Sequence, residues 1–350
     1  MKRTFESSRT PVIILIAITA VIVGLLGYVF AVRLHNSAIA EAIPEAEAFA
    51  RSTPAMRTVP PETPEPAPTV TPIPAAESDV EEIEAPFWSE GSIFRGDEYR
   101  SPTLTVQYSV HTDTRSFSMR AVYYVADIHV SDVTQIRTAS AREDFAESGR
   151  GKVKRMADRE NALVAISGDY CGCHSNTLII RNGITYRKKI GGSDVCLLLR
   201  SGEMETIPRG KTNLNEILAK DPWQAWEFGP GLLESDGTPR RSLSSYSLNA
   251  KNPRSCIGYF EPGHYCFVVV DGRQKSSRGV TLVELARLMQ SLGCKQAFNL
   301  DGGASAHFYW RGQISNKPSG GGRQISDIVY VAKESYPESR IFCGKAGYSE

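Results

Sequence analysis

The segment TLVELARLMQSLGCKQAFNLDGGASAH, residues 281–307, contains in succession the signals of a helix, a strand and a glycine-rich turn. Residues 281–292 place apolar side chains on one helical stripe, and Thr281 and Glu284 have the spacing of a capping box. Residues 296–300 are typical of a short strand. A helix followed closely by a strand predicts a domain in which both kinds of element pack together.

The turn after this strand holds the first candidate functional residue. The strand delivers Asp301 into the turn Gly302-Gly303. A carboxylate on a rigid element, beside backbone that a ligand can approach closely, is the way that binding sites are built. The alternative is an Asx-turn, in which Asp301 merely accepts hydrogen bonds from the glycine amides.

The chain after about residue 85 carries mostly strand signals. Asn182-Gly183, between apolar runs, is a strong hairpin signal. The predicted strands and hairpins are residues 103–111, 116–130, 162–167, 178–187, 195–207, 255–270, 306–314 and 325–332. The other predicted helices are residues 152–161 and 213–220. Because strands dominate and helices intervene irregularly, we expect an α+β domain of mixed, mostly antiparallel sheets with a few helices.

The N-terminal region has the pattern of a membrane anchor. Residues 11–32 contain no charged side chain and are long enough to cross a hydrocarbon core of about 30 Å as a helix. Because the tail before them, residues 1–10, is basic, we expect a single-pass protein of the cell membrane with a cytoplasmic N-terminus and an extracellular C-terminal domain. The alternative is a cleaved signal peptide, since Ala38-Ile39-Ala40 has small residues at the spacing of a processing site.

Residues 33–85 differ sharply from their surroundings. They are rich in proline, threonine, glutamate and alanine, a composition that buries too little apolar surface to fold. We expect an extended proline-rich linker between the membrane and a domain of residues 86–350. The formal net charge of +1 gives no electrostatic reason to expect a nucleic-acid partner.

The cysteines leave several alternatives open. There are seven, an odd number, in the part predicted to lie outside the cytoplasm, where disulfides form. Cys256 and Cys266 flank a turn and could face each other across a hairpin, or all the thiols could be free. The cluster Cys171, Cys173 and His174 has soft-ligand character, but no second pair lies at a zinc-site spacing. We therefore assign no metal site and leave the cofactor unknown.

Polar loops recur at the ends of the apolar strands. Any one of them is ordinary turn chemistry, but five in one domain favour a shared site. The loops are Ser167-Gly168-Asp169-Tyr170, Phe228-Gly229-Pro230-Gly231, Asn252-Pro253-Arg254, Asp271-Gly272-Arg273 and the turn at Asp301.

The order of these loops resembles that of the phosphodiester glycosidase family. The similarity extends over about residues 162–331 and includes ISGDY at 166–170, WQAWEFGPGLL at 223–233 and NLDGGAS at 299–305. Bacterial members with similar blocks are often described as exopolysaccharide biosynthesis proteins. The resemblance implies hydrolysis of a bond between a sugar and a phosphodiester.

This chain departs from the family pattern near the site. Ser167 stands where the family usually has asparagine, and Ala304 where it usually has glycine. Serine loses the two-ended hydrogen bonding of an amide, and alanine adds a methyl group where a positive φ could require glycine. His307 adds a titratable group where methionine is common. Altered substrate preference or weakened catalysis would follow from such changes.

The expected chemistry needs a carboxylate, which activates water or stabilises an oxocarbenium-like centre, and cations or amides for the phosphate. Asp301 and Asp169 are the candidate catalytic residues, and Arg254, with Arg273 second, is the candidate phosphate clamp. Asp169 could instead form a turn, and Arg254 could belong to a buried ion pair. The other candidate substrate-binding residues are Asn299, Asp271, Gly302, Gly303, Ser305, Ser167 and Gly168.

Three functions fit these patterns. The first is a membrane-anchored extracellular phosphodiester glycosidase that acts on a surface polysaccharide or a teichoic-acid-like glycan. The second is a catalytically impaired domain that binds a cell-wall or exopolysaccharide polymer in the same pocket. The third is a scaffold whose proline-rich linker matters more than its pocket. The placement of the two carboxylates separates the first two functions. If Asp169 and Asp301 converge within about 10 Å around a cleft that also holds Arg254, hydrolysis is geometrically credible. If they point apart, binding is the better account.

Overall fold

The computed structural model describes residues 92–333, except for 115–119, 143, 146, 174 and 247. The predicted tail 1–10, membrane helix 11–32 and linker 33–85 lie outside the described residues. Within the part that is described, no helix is both long enough and apolar enough to cross a membrane.

The described chain forms three sheets, and all strand pairings observed in them are antiparallel. A seven-stranded sheet has the order β1-β2-β3-β4-β13-β12-β14, and two five-stranded sheets have the orders β10-β9-β11-β7-β8 and β16-β15-β6-β17-β5. The strands are β1 (Ile93–Arg95), β2 (Glu98–Arg100), β3 (Leu104–Asp113), β4 (Ala121–Val130), β5 (Ile136–Ser140), β6 (Ala162–Ser167), β7 (Ile179–Arg181), β8 (Ile184–Arg187), β9 (Asp194–Leu199), β10 (Met204–Ile207), β11 (Pro222–Phe228), β12 (Arg254–Glu261), β13 (His264–Val270), β14 (Gln296–Leu300), β15 (Phe308–Trp310), β16 (Gln313–Ile314) and β17 (Asp327–Ala332). The expected α+β class with mostly antiparallel sheets is confirmed.

Three short helices cover the sheets: α1 (Val153–Arg159), α2 (Leu214–Ala219) and α3 (Leu282–Ser291). The predicted capping box of α3 is present, because Thr281 and Glu284 each accept a hydrogen bond from the other's backbone amide. In α2, Asn213 caps the N-terminus with its side chain. The three predicted helices are therefore confirmed, with ends that differ by one or two residues.

One apolar core joins all three sheets. It includes Phe267 and Phe298 of the seven-stranded sheet, Trp223 and Trp226 of the second sheet, and Phe308 of the third. These aromatic side chains have no solvent exposure. Each helix packs through a smaller apolar cluster on the outer face of a different sheet.

The predicted hairpins are confirmed, and one predicted strand is wrong. Asn182 and Gly183 both have positive φ, as a two-residue hairpin turn requires. The predicted strand 306–314 is divided into β15 and β16, because Arg311 and Gly312 also adopt positive φ and form a turn. The prediction joined the two strands although Arg311-Gly312 interrupts the apolar residues with a glycine-containing pair.

The cysteine pair considered across the β12–β13 hairpin does not form. Cys256 lies opposite Val268, whereas Cys266 lies opposite Gly258. The Sγ atom of Cys266 is instead 3.7 Å from that of Cys294, and the cysteines in the described part of the chain are free thiols. The register, which includes a bulge near Glu261, separates the two positions.

The topology brings the polar loops to one edge. In the seven-stranded sheet Arg254 pairs with Val270, and Ser255 pairs with Leu300, so the start of β12 and the ends of β13 and β14 coincide. The end of β6 joins them, because the amide of Asp301 donates to the carbonyl oxygen of Gly168 at 2.9 Å. Loops from two sheets therefore meet around Asp301.

Candidate active site

The carboxylate of Asp301 lies at the centre of this edge. The residue is 7% exposed, and Arg323 Nη2 lies 3.0 and 3.1 Å from its two carboxylate oxygens. Burial raises the pKa of the Asp301 carboxyl above its ordinary value, although hydrogen bonds from Ser305 and Arg323 act in the opposite direction. A raised pKa moves a carboxyl group toward the range in which acid–base catalysis is efficient.

Arg323 was not among the candidates from the sequence. It follows three consecutive glycines at positions 320–322, all with positive φ, and its amide donates to the carbonyl oxygen of Ala304. Its Nε donates to Ser305 Oγ, which is fully buried. Ser305 therefore holds Arg323 in place rather than facing a ligand. The glycine run was the sequence signal that the chain adopts positive φ just before Arg323.

The two glycines of the Asp301 turn are required by shape. A Cβ atom on Gly302 would lie 2.6 Å from the carbonyl oxygen of Pro253. Gly303 has φ +63°, and its amide donates to that same carbonyl at 2.9 Å. Gly303 thus has no amide hydrogen left for a phosphate. Ala304 is not among the residues with positive φ, so the alanine does not strain the turn.

The loop after β6 is hydrogen-bonded to the backbone of Asp301. Ser167 is fully buried, and its Oγ donates to the carbonyl oxygen of Asp301 at 2.7 Å. A Cβ on Gly168 would lie 2.0 Å from a carboxylate oxygen of Asp327, so glycine is needed there as well. Both residues therefore shape the site through other residues, and the structure shows no exposed surface of Ser167 for substrate.

Asp169 follows Gly168 in the chain, but its side chain points into the protein. It is 1% exposed, its Oδ1 accepts from Arg181 Nη2 at 2.7 Å, and its Oδ2 accepts from the amide of Glu227 at 3.0 Å. Asp327 lies beside it, and burial together with the charge of Asp169 raises the pKa of Asp327 to about 7. The structure thus brings Asp169 close to Asp301 in the backbone but gives its carboxylate a buried ion pair.

Arg254 is a buried cation without a carboxylate at hydrogen-bond distance among the described residues. Its guanidinium donates to the carbonyl oxygens of Val280, Leu248 and Ala250 at 3.1, 2.7 and 2.7 Å. Burial, and secondarily the charge of Arg273, lowers the pKa of Arg254 to about 10. A buried positive charge stabilised only by carbonyl dipoles favours an anionic ligand.

Arg273 is exposed and lies on the other side of the turn. Its Nη2 is 3.3 Å from the position of a Cβ on Gly303, and Nη2 also donates to Asn252 Oδ1 at 2.8 Å. Arg273 has φ +59°, an uncommon backbone conformation for a non-glycine residue. Of the two predicted phosphate ligands, Arg273 reaches the turn with its guanidinium, whereas Arg254 contacts it through its backbone, with its Cα 3.4 Å from the Cβ position of Gly302.

Two further candidates hold neighbouring loops. Asn299 is 2% exposed and donates through Nδ2 to the carbonyl oxygen of Gly229, while its buried Oδ1 has no hydrogen-bond partner among the described residues. Asp271 is 3% exposed and accepts from Asn316 Nδ2 and from the amide of Lys317. Burial raises the pKa of Asp271. Asp271 secures the 316–317 loop, and Asn299 secures the loop at Gly229.

The sequence reasoning also missed the cationic surroundings of Tyr170. This residue has φ +68°, and the guanidinium groups of Arg150 and Arg323 lie 5.4 and 5.3 Å from its ring centre. Arg150 Nη2 also donates to the Tyr170 hydroxyl at 2.6 Å. The two arginines give the mouth of the site a positive character. His307 is 7% exposed, and burial lowers the pKa of its ring below the ordinary value.

Two groups in the described chain bring possible metal ligands within 4.8 Å of one another, and neither includes Asp301. The first group is Asp127, His129 and His264, and the second is Asp169, Cys171 and Asp327. In the first group the rings of His129 and His264 stack 3.9 Å apart, so their in-plane lone pairs cannot meet at one ion without rotation. In the second group Arg181 already neutralises Asp169.

The order of the strands and loops around Asp301 matches a known family. Residues 160–332 fit the model of the phosphodiester glycosidase family. Residues 160–332 form a phosphodiester glycosidase domain. This domain begins just before β6, ends with β17, and contains the loops of Asp169, Arg254, Asp301 and Arg323.

Relatives of the phosphodiester glycosidase domain occur in bacteria and animals. The chain is 27% identical over 299 residues to the SPbeta prophage-derived uncharacterized protein YomE of Bacillus subtilis, covering 71% of this chain and 45% of the relative. It is 29% identical over 273 residues to mouse N-acetylglucosamine-1-phosphodiester alpha-N-acetylglucosaminidase, and the match covers 66% of this chain and 50% of the relative. The chain thus spans about half the length of these relatives.

A solved structure shares the fold. The catalytic domain of the zebrafish N-acetylglucosamine-1-phosphodiester alpha-N-acetylglucosaminidase superposes with a TM-score of 0.55 at 20% identity. The match covers 67% of this chain and 85% of that chain. The architecture described above is therefore that of the phosphodiester glycosidase fold.

Proposed function

We propose that this protein hydrolyses the bond between a sugar and a phosphodiester, with Asp301 as the carboxylate at the reacting centre. The observation that carries the proposal is the position of Asp301 at a strand end, on a Gly302-Gly303 turn that contacts the backbone of Arg254 and the guanidinium of Arg273. The relatives support it, because the mouse protein is named for cleavage of N-acetylglucosamine-1-phosphodiesters.

The products explain why one carboxylate can suffice. Water adds either to the anomeric carbon or to phosphorus, the sugar–phosphate bond breaks, and the products are a free sugar and a phosphomonoester. When water adds to the anomeric carbon, the departing group is a phosphomonoester with a second pKa of about 6, so it requires far less protonation than the sugar alkoxide that departs when water adds to phosphorus. One carboxylate therefore suffices for attack at carbon. Asp301 then accepts the proton of the attacking water or stabilises positive charge at the anomeric carbon.

The phosphate would be held by the two arginines. Arg254 is fixed by three carbonyl oxygens and Arg273 by Asn252, so both guanidinium groups are oriented before a ligand arrives. Charge-assisted hydrogen bonds from oriented arginines are the strong ones, and they stabilise charge that develops on phosphate oxygens during bond breaking. In this scheme Asp169 positions the loop under Asp301 through its pair with Arg181.

A neighbouring cavity of about 460 Å³ provides space for a sugar. Its lining includes the polar side chains of Ser175, Asn176 and Ser193 and the apolar side chains of Phe228 and Leu248. Polar groups beside apolar faces match the alternating hydroxyl and C–H surface of a pyranose. The cavity adjoins the site, because Asn299 donates to the carbonyl oxygen of Gly229 in its wall and Arg254 donates to that of Leu248.

The location of the domain outside the cell membrane is part of the same proposal. An uncharged segment at residues 11–32 and a proline-rich linker at 33–85 would hold the domain outside the cell membrane, where surface polysaccharides and teichoic-acid-like glycans are found. Such polymers contain sugar–phosphodiester bonds. The polymer is therefore the proposed substrate class.

Release of free sugar from a panel of sugar-1-phosphodiesters tests the activity. We expect turnover by the full-length protein and a loss of about 100-fold or more in Asp301→Asn, the usual contribution of a positioned base. Asp221→Asn is the matched control, because the Asp221 side chain is 76% exposed and its positive φ suits asparagine. Retained glycan binding without turnover on any substrate would replace the hydrolase by a carbohydrate-binding domain.

A further inference from the structure

A second cleft lies beside the candidate active site and is strongly cationic. It has a volume of about 580 Å³ and is lined by Lys251, Arg273, Gln274, Lys275 and Arg278. Four of these five side chains are cations and none is an acid. The chain as a whole has 40 basic and 39 acidic residues, so this cluster is a local accumulation and not a consequence of general basicity. We call it the basic cleft.

The loop that forms the basic cleft is held in one conformation. The amide of Arg273 donates to the carbonyl oxygen of Arg278 at 3.3 Å, and the amide of Gln274 donates to that of Ser277 at 3.0 Å. Ser277 Oγ donates to the carbonyl oxygen of Asp271 and accepts from the amide of Val122 on β4. Cations on a loop that is already ordered lose less conformational entropy when they bind an anion.

The basic cleft is continuous with the site through Arg273. This residue lines the cleft and also reaches within 3.3 Å of the Cβ position of Gly303. Lys251 is 3.1 Å from Glu284, so its charge is partly balanced. The excess positive charge of the cleft therefore comes mainly from Arg273, Lys275 and Arg278, and the last two lie beyond the two arginines that the reaction needs.

We propose that the basic cleft binds a second phosphate of the substrate, so that the preferred substrate is a glycan whose backbone repeats phosphodiesters. This inference rests on the function proposed for Asp301. One phosphodiester brings a single negative charge to Arg254 and Arg273. The further cations at Lys275 and Arg278 correspond to the next phosphate along the same polymer. A neutral polysaccharide would leave these charges without a partner.

The test compares two substrates with one scissile bond each. The first is a sugar-1-phosphodiester with a single glycerol as aglycone, and the second carries the same sugar phosphodiester at the end of a poly(glycerol phosphate) chain. We expect Lys275→Ala/Arg278→Ala to lower kcat/KM for the chain about tenfold at low salt, since two ionic contacts together contribute about that factor. For the short substrate we expect less than about a twofold change, and high salt should abolish the wild-type preference.

The control variant is Lys211→Ala/Lys295→Ala, which removes two exposed cations outside the basic cleft. It should leave both substrates unaffected. Equal losses in the two double variants, or a wild-type protein that does not prefer the chain, would overturn the proposal. Single-stranded DNA with the same number of phosphates should compete poorly, and equally strong competition would show a general polyanion surface instead.

Binding of unmodified poly(glycerol phosphate), measured by calorimetry, separates this proposal from the hydrolase. Asp301→Asn should bind the polymer as the wild-type protein does, whereas Lys275→Ala/Arg278→Ala should bind it about tenfold more weakly. Binding with this pattern but without cleavage would retain the phosphate subsite and overturn the hydrolase. Cleavage of the short substrate together with equal polymer binding by all variants would retain the hydrolase and overturn the phosphate subsite.

Discussion

Arg323 Nη2 contacts both carboxylate oxygens of Asp301, at 3.0 and 3.1 Å, and these residues are 22 positions apart in the chain. The pair is asymmetric in exposure, since the side chain of Arg323 is 45% exposed and that of Asp301 only 10%. Solvent and anionic ligands therefore reach the arginine first. The carboxylate that the proposed chemistry uses is covered by a cation that a phosphodiester can also bind.

Replacing Arg323 with methionine should shift the pH dependence of activity. Because Arg323 lowers the pKa of Asp301 and burial raises it, the variant should have a still higher Asp301 pKa. If ionised Asp301 is the base, the acidic limb of the kcat/KM profile moves to higher pH. The measurement is a pH–rate profile from pH 4 to pH 9, with Arg241→Met, an exposed arginine, as the control. An unmoved acidic limb would assign that limb to another group.

Replacing Arg254 with lysine should weaken substrate binding. An ammonium group cannot donate to the carbonyl oxygens of Val280, Leu248 and Ala250 and to a phosphate at the same time. We expect kcat/KM to fall about tenfold or more, mostly through KM, a loss that corresponds to about one charge-assisted hydrogen bond. Arg287→Lys, on the exposed face of α3, is the control. Unchanged kinetics in Arg254→Lys would remove Arg254 from the phosphate site.

Replacing Arg181 with methionine should destabilise the domain. Arg181 and Asp169 are 0% and 1% exposed, and Asp327 lies beside them, so the variant leaves two buried carboxyl groups without their cation. Removal of one partner of a buried pair typically costs about 3–5 kcal/mol. Urea unfolding measures this loss, and Arg155→Met on the exposed face of α1 should change little. If Arg181→Met/Asp169→Asn is no more stable than Arg181→Met alone, the two residues are not coupled.

Asp327 should make the stability of the domain depend on pH. Its pKa is raised to about 7 in the folded state, above the value in the unfolded chain, so the folded protein holds this proton more tightly. The resulting stabilisation is fully present at pH below the unfolded pKa and is lost as the pH rises from about 4 to about 7.

The isosteric variant Asp327→Asn checks this direction. It cannot ionise, so its free energy of unfolding should fall less between pH 5 and pH 8 than that of the wild-type protein. Urea unfolding at the two pH values gives the difference. An equal fall in both proteins would show that Asp327 does not titrate in this range. Asp236→Asn, on an exposed loop, is the control for a carboxylate whose pKa is lowered.

Local signals in the sequence predicted much of the fold. The capping residues and apolar stripe placed α3, the pair Asn182-Gly183 placed a hairpin, and strand β14 was placed at residues 296–300, just before Asp301. Each of these features depends on neighbours within a few residues, which is the range that propensity and periodicity cover. The turn at Arg311-Gly312 was missed, although a glycine between two strand signals is itself a turn signal.

The sequence by itself determined most of the elements, their strand-end loops and the family to which residues 160–332 belong. Only the tertiary structure decided which polar side chains face a ligand and which serve the interior. In the folded protein Asp169 pairs with Arg181 and Asp301 pairs with Arg323, although both aspartates follow a strand and lie beside glycine in the sequence. The reason is physical: the partner of a carboxylate is set by the register of strands distant in the chain, and burial, which sets the pKa, exists only once those strands have packed.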